Sequence, residues 1–152
     1  RGAGFGELIA SLVFLAVAAG AILWDHFIGF VPTTAGEGPV SFLDPGLWPW
    51  WIAGLFALMA VEAALAIWVY ARGRWTYGSA AVNLGLNVLI AVPAVWLLLQ
   101  GRLINPEFFP TVIPADSADT VAGVMTAVTG FGIVAIAVWD SIDGYLKARR
   151  AR

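Results

Sequence analysis

The sequence predicts an all-α integral membrane protein: a four-transmembrane-helix bundle made of two repeated hairpins, with both termini cytoplasmic and short interfacial helices in the two outer loops. Composition is the first ground. Of 152 residues, 61% are hydrophobic and 12% charged, whereas charged residues make up about a quarter of a soluble domain. Spacing is the second, because four apolar runs each reach the roughly 20 residues that a membrane-crossing helix needs. The third is the uneven placement of Lys and Arg on the two sides those runs define. The runs occupy the chain, so residues 1–152 read as a single membrane domain, with hairpins over 8–70 and 78–146 and a basic cytoplasmic tail over 147–152.

The first run extends from Leu8 to Phe30. It reads as a retained helix, not a cleaved leader. The apolar stretch continues through Ile22, Leu23 and Trp24 beyond a signal-peptide core, and Glu7 stands in the flank beside Arg1. Arg1 in place of Met points to a processed chain or a piece of a longer one. Near the outer end of this run, Asp25 and His26 read as a hydrogen-bonded interfacial pair, with pH sensing by His26 as the sharper alternative. One His beside one Asp falls short of the three or four ligands of a metal site, and a single imidazole cannot supply both axial ligands of a b-type haem.

The two outer loops resemble each other. Phe42-Leu43-Asp44-Pro45-Gly46-Leu47-Trp48-Pro49 is matched at a constant offset of 61 residues by Leu103-Ile104-Asn105-Pro106-Glu107-Phe108-Phe109-Pro110. Asp44-Pro45 and Asn105-Pro106 have the grammar of a helix start: a side-chain acceptor for orphan N–H groups, then a proline fitted to the first helical position. Each segment is expected to form a short interfacial helix on the outer leaflet. One continues into the second run, and the other leads to the polar stretch before the fourth. The simple reading is a duplicated hairpin packed on itself; the sharper one makes the paired segments a platform for lipid or a partner.

The second run, Trp50 to Tyr70, carries Glu62. An ionisable residue at that depth is costly and usually faces protein or a cavity. The basic link Ala71 to Tyr77, with Arg72 and Arg74, is short enough that residues equidistant from its centre lie level. Glu62 is therefore expected level with Asn87 in the third run, Ala80 to Leu99, with Asn83 one turn away on the same face. Ala80, Ala91 and Ala94 extend that small, polar stripe. The structural reading has Glu62 hydrogen-bonded to Asn87; the functional one makes Glu62 a proton-linked switch or relay.

The fourth run, Val121 to Trp139, contains Gly123, Thr126, Thr129, Gly130 and Gly132, small residues suited to a packing face against an internal neighbour or a second protomer. Asp140 and Asp143 follow on one helical face, set to pair with Arg72, Arg74 or the tail residues Lys147, Arg149 and Arg150. The stretch Asp140 to Arg149 is superficially similar to the opening of the CDP-alcohol phosphotransferase motif. However, its Ala-Arg pair is displaced by one residue and no second group of aspartates follows, so the divalent-metal cage is incomplete.

Of the eight Lys and Arg residues, only Arg102 falls on the outer side. The others flank the inner ends, which places both termini in the cytoplasm of a bacterial plasma membrane. Glu37, Asp44, Glu107, Asp116 and Asp119 lie opposite. Anionic lipid headgroups are the expected partners of the basic side. All eight Trp residues (Trp24, Trp48, Trp50, Trp51, Trp68, Trp75, Trp96 and Trp139) lie near run ends and read as an aromatic belt, with a tryptophan-lined ligand site as the alternative. Without cysteine there is no disulfide, thiolate nucleophile or thiolate metal site. No cofactor is expected, and no basic footprint for nucleic acid is present.

Phe42 to Pro49, Gly73-Arg74-Trp75-Thr76, Asn83 to Asn87, Ala91 to Leu99 and Leu103 to Phe109 together resemble the membrane part of actinobacterial HAAS-like, permease-prefix-domain proteins. That resemblance implies a signalling or regulatory partner of other membrane systems, often preceded by a small helical cytoplasmic domain. The expected function is a non-enzymatic sensor, regulator or accessory subunit acting through lipid, another membrane protein or a homo-oligomer. A small proton-linked transporter or transporter subunit, with Glu62, Asn83 and Asn87 along a polar path, is the alternative.

Overall fold

The computed structural model describes residues 4–30 and 40–151. Arg1, Glu37 and Arg152, used above in counting charge, lie outside them. The chain is helical, with four helices long and apolar enough to cross a membrane: α1 (Phe5–Phe27), α2 (Trp50–Arg72), α3 (Tyr77–Leu99) and, after the short α4 (Phe108–Val112), α5 (Ala115–Ala151). A 3-10 turn, Pro45–Leu47, precedes α2. These four helices mark a membrane protein, and each coincides with one of the four apolar runs.

Helix ends explain where the observed elements differ from the runs. α2 stops at Gly73, whose φ of 78° is left-handed backbone that a side chain would strain. α3 starts at Tyr77, three residues before its apolar run, because Thr76 and Ser79 form a reciprocal cap: Ser79 N–H donates to Thr76 Oγ1 at 3.1 Å, and Thr76 N–H donates to Ser79 Oγ at 2.8 Å. α5 is 37 residues long and runs from Ala115 through most of the segment expected as a tail. Its length is about 55 Å, well beyond the roughly 30 Å of a hydrocarbon core. Asp116 in its first turn and Arg149 and Arg150 in its last complement the helix dipole. Lys147 and Asp143 add an i,i+4 ion pair at 2.8 Å.

The helices alternate in direction, so one end of the bundle holds both chain ends and the α2–α3 turn; it is called the terminal end below, and the opposite one the loop end. Phe5 packs edge-on against Tyr70 at the terminal end, with ring centroids 5.9 Å apart. α3 and α5 form the most extensive pair, while α1 packs along α2 and α2 along α3. Gly130 and Gly144 let α5 approach α3: a Cβ at Gly130 would sit 3.1 Å from Leu98 Cδ2, and one at Gly144 3.1 Å from Asn83 Nδ2. Gly123 and Gly132 face open space, so they take no part in this contact. Thr126 donates its hydroxyl to Ala122 O on its own helix. The core divides into a cluster around Leu47, Ile52 and Leu97 and another around Leu65, Val69 and Leu86.

Candidate functional site

Between α1 and α5 the bundle is open, and a cleft of about 810 Å³ runs inward to the α2–α3 hairpin. Its walls are mostly apolar, including Phe14, Leu55, Met59 and Trp139. Its polar side chains are Glu7, Ser11, Glu62, Tyr70, Trp75, Asn83, Asn87, Asp140 and Lys147. Glu62, Asn83 and Asn87, expected as an intramembrane set, thus share one cavity.

The expected hydrogen bond from Glu62 to Asn87 does not form. Asn87 instead turns toward α5, donating through Nδ2 to Asp140 Oδ2 at 2.9 Å, to Ser141 Oγ at 3.1 Å and to Asn83 O at 3.1 Å. Asn83 donates to Asp140 O at 3.2 Å. Equal distance from the turn fixes depth along a hairpin but not the direction a side chain takes around its helix, and the close α3–α5 approach provides better acceptors. Glu62 makes no hydrogen bond or ion pair with any described residue. It lines the same cleft as Asp140.

At the terminal end the cleft is lined by a polar clasp. Trp75 Nε1–H donates to Glu7 Oε2 at 2.7 Å, and Lys147 Nζ lies 3.5 Å from Glu7 Oε1 as well as 2.8 Å from Asp143. Of the inner charge cluster, Asp143 therefore pairs with the tail residue Lys147, while Asp140 is engaged by the two asparagines. Neither carboxylate pairs with Arg72 or Arg74. Arg72 lies over the Trp68 ring at 5.6 Å, and Arg150 donates to Leu146 O at 3.3 Å. Glu7 and Trp75 carry this clasp, and sequence reasoning assigned them only flank and belt. The available signal was a lone acid at the edge of an apolar run.

A second polar knot lies at the loop end. Asp25, only 4% exposed, does not bond to His26; its carboxylate accepts the backbone N–H groups of Phe42 at 2.7 Å and Leu43 at 2.9 Å. His26 instead stacks on Trp48, with centroids 4.3 Å apart. Leu43 and Ile104, 61 residues apart, form an antiparallel bridge in which Asp44 N–H donates to Leu103 O (2.9 Å) and Asn105 N–H to Phe42 O (2.8 Å). Asp44 Oδ1 accepts from Gly46 N–H at 2.9 Å and Asn105 Oδ1 from Glu107 N–H at 3.1 Å. Pro45 opens the 3-10 turn as expected, whereas Asn105 and Pro106 form a turn ahead of α4, which begins only at Phe108. Asn105 Nδ2–H also donates to Ser41 O at 3.0 Å.

Among the described residues, no three His, Asp or Glu side chains converge as metal ligands would. Compared with known proteins, the chain matches no family model, no curated protein and no solved structure.

Proposed function

We propose that the chain is a non-enzymatic membrane module that senses or regulates, with α1 as the wall that responds when the cleft is filled. One observation carries this reading: α1 packs along α2, is fastened by Asp25 at one end and Glu7 at the other, and leaves a cavity between itself and α5. A helix held by a few polar contacts can shift with occupancy. Interlocked helices such as α3 and α5 resist displacement because close-packed contacts deform little.

The module sits in a bacterial plasma membrane with both termini cytoplasmic, in keeping with Arg72, Arg74, Lys147, Arg149 and Arg150 at the terminal end and Arg102 at the other. That basic end meets anionic headgroups. The exposed apolar helix faces meet lipid, another membrane protein or a second copy. The loop-end helices lie in the outer leaflet. Exchanging residues by the 61-residue offset interchanges the two hydrogen bonds of the Leu43–Ile104 bridge, which supports two repeated hairpins about a pseudo-twofold axis. The HAAS-like resemblance points to the same regulatory role.

A second reading, a small proton-linked transporter, is favoured by the cleft's reach to Glu62. Two measurements separate them. Liposomes containing the protein and an internal pH-sensitive dye should show no proton flux above empty liposomes. Spin labels on Ser11→Cys and Ala135→Cys, introduced into a chain that lacks cysteine, should report a different α1–α5 distance in native membrane vesicles than in empty nanodiscs. A fixed distance together with Glu62-dependent flux would overturn the regulatory reading in favour of transport.

A further inference from the structure

We propose that the cleft binds a lipophilic cation, an apolar body carrying one positive charge, which enters from the bilayer and sets its charge against Glu62 and Asp140. This rests on the cleft being the functional site. Its volume of about 810 Å³ falls within the roughly 300–1,000 Å³ of small-molecule pockets. The walls supply aliphatic and aromatic surface from Phe14, Met59 and Trp139. They suit a hydrophobic body, and the side between α1 and α5 admits one already dissolved in the membrane.

Charge selects among such bodies. The carboxyl and amino groups lining the cleft are those of Glu7, Glu62, Asp140 and Lys147. Lys147 is already countered by Asp143 at 2.8 Å and Glu7 at 3.5 Å. Asp140 receives only the neutral amides of Asn87 and Asn83, the latter through its backbone carbonyl. Glu62 receives no hydrogen bond from any described residue. Two carboxylates therefore face an apolar volume with no cation of their own. An unpaired charge at bilayer depth is costly, and attraction to a bound cation strengthens as water is excluded. Trp75 and Trp139 also line the cleft, and indole rings attract cations. An anionic amphiphile is repelled by the same pair, and a neutral one gains only the apolar contacts.

The test uses purified protein in phosphatidylcholine nanodiscs, with tetraphenylphosphonium as the probe and equilibrium dialysis as the readout. Saturable binding is expected, weakened at least tenfold in Glu62→Gln and several-fold in Asp140→Asn, with helicity by circular dichroism unchanged. Triphenylphosphine oxide, similarly apolar but uncharged, should not displace the probe from the wild-type protein. Equal affinity in a folded Glu62→Gln protein would overturn the proposal. Effective competition by the neutral compound would also overturn it, while leaving the cleft as a ligand site, and that arm needs no variant. Absence of binding by the cation overturns it as well. The α1–α5 distance measurement then decides separately whether the regulatory reading stands.

Discussion

Asp25 shows how one carboxylate can organise a loop. It is buried, and its two oxygens each accept a short backbone hydrogen bond, from Phe42 and from Leu43. Hydrogen bonds to an ionised group contribute about 1.5–3 kcal/mol, and the N–H groups left without an acceptor add their own desolvation cost. Asp25→Ala is therefore expected to lower stability by about 3 kcal/mol, and Asp25→Asn, which keeps one acceptor oxygen, by about 1 kcal/mol. Denaturation by dodecyl sulfate in mixed micelles reads the loss, and amide exchange at Phe42 and Leu43 should accelerate in both variants. Unchanged exchange would show that the loop is ordered by the Leu43–Ile104 bridge alone. Glu62 carries the opposite expectation. Because it holds no described partner, Glu62→Gln should fold as the parent does and be at least as stable, since it removes an unpaired carboxyl from an apolar setting without removing a contact. The sequence located both acids within apolar runs, Asp25 near the end of the first and Glu62 inside the second, because position in a run is a local property. It misassigned their partners: those of Asp25 lie 17 and 18 residues away across a loop, where no helical spacing rule applies.

Glycines separate the elements that interlock from those that merely adjoin. A methyl group at Gly144 would meet Asn83 Nδ2 at 3.1 Å and Trp75 Cζ3 at 3.4 Å, whereas one at Gly132 would meet nothing within 4 Å. Gly144→Ala should therefore push α5 from α3, disturb the Asn83–Asp140 bond and cost about 1–3 kcal/mol. Gly132→Ala should be neutral or stabilise the helix by up to about 1 kcal/mol. Comparing the two variants in the same dodecyl sulfate titration checks the assignment, and equal effects would contradict it. The small residues of this helix were visible in the sequence as a group. Which of them touch α3 depends on how the helix is rotated about its axis, and its nearly uniform hydrophobicity leaves that rotation unmarked. The helix ends were legible for a different reason and to a different degree. Glycine closes α2 where the sequence turns basic, but the Thr76–Ser79 cap and the Asp143–Lys147 pair extend α3 and α5 through polar residues that an apolar-run criterion excludes.

Across the whole molecule, four membrane-length helices were readable because length and apolarity are local properties, while the cleft was not, because it arises between two helices that do not pack along each other. Its behaviour turns on the clasp at the terminal end. Glu7 and Lys147 are each about a third exposed, and exposed ion pairs contribute roughly 0–1 kcal/mol. The Trp75–Glu7 hydrogen bond adds about 1.5–3 kcal/mol at most, since its acceptor is charged. Removing Lys147 alone should thus leave global stability nearly unchanged yet release one of the contacts that tie α1 to α5. In Lys147→Met the spin-label distance between Ser11→Cys and Ala135→Cys should broaden toward longer values, while dodecyl sulfate unfolding shifts by less than about 1 kcal/mol. Glu7→Ala should broaden it further, because that change also frees Trp75. A narrow distribution in both variants would mean that α1 is positioned by its packing on α2, and that the clasp does not control the cleft. A large loss of stability in Lys147→Met would instead make the pair part of the core, and α1 could not then act as a movable wall.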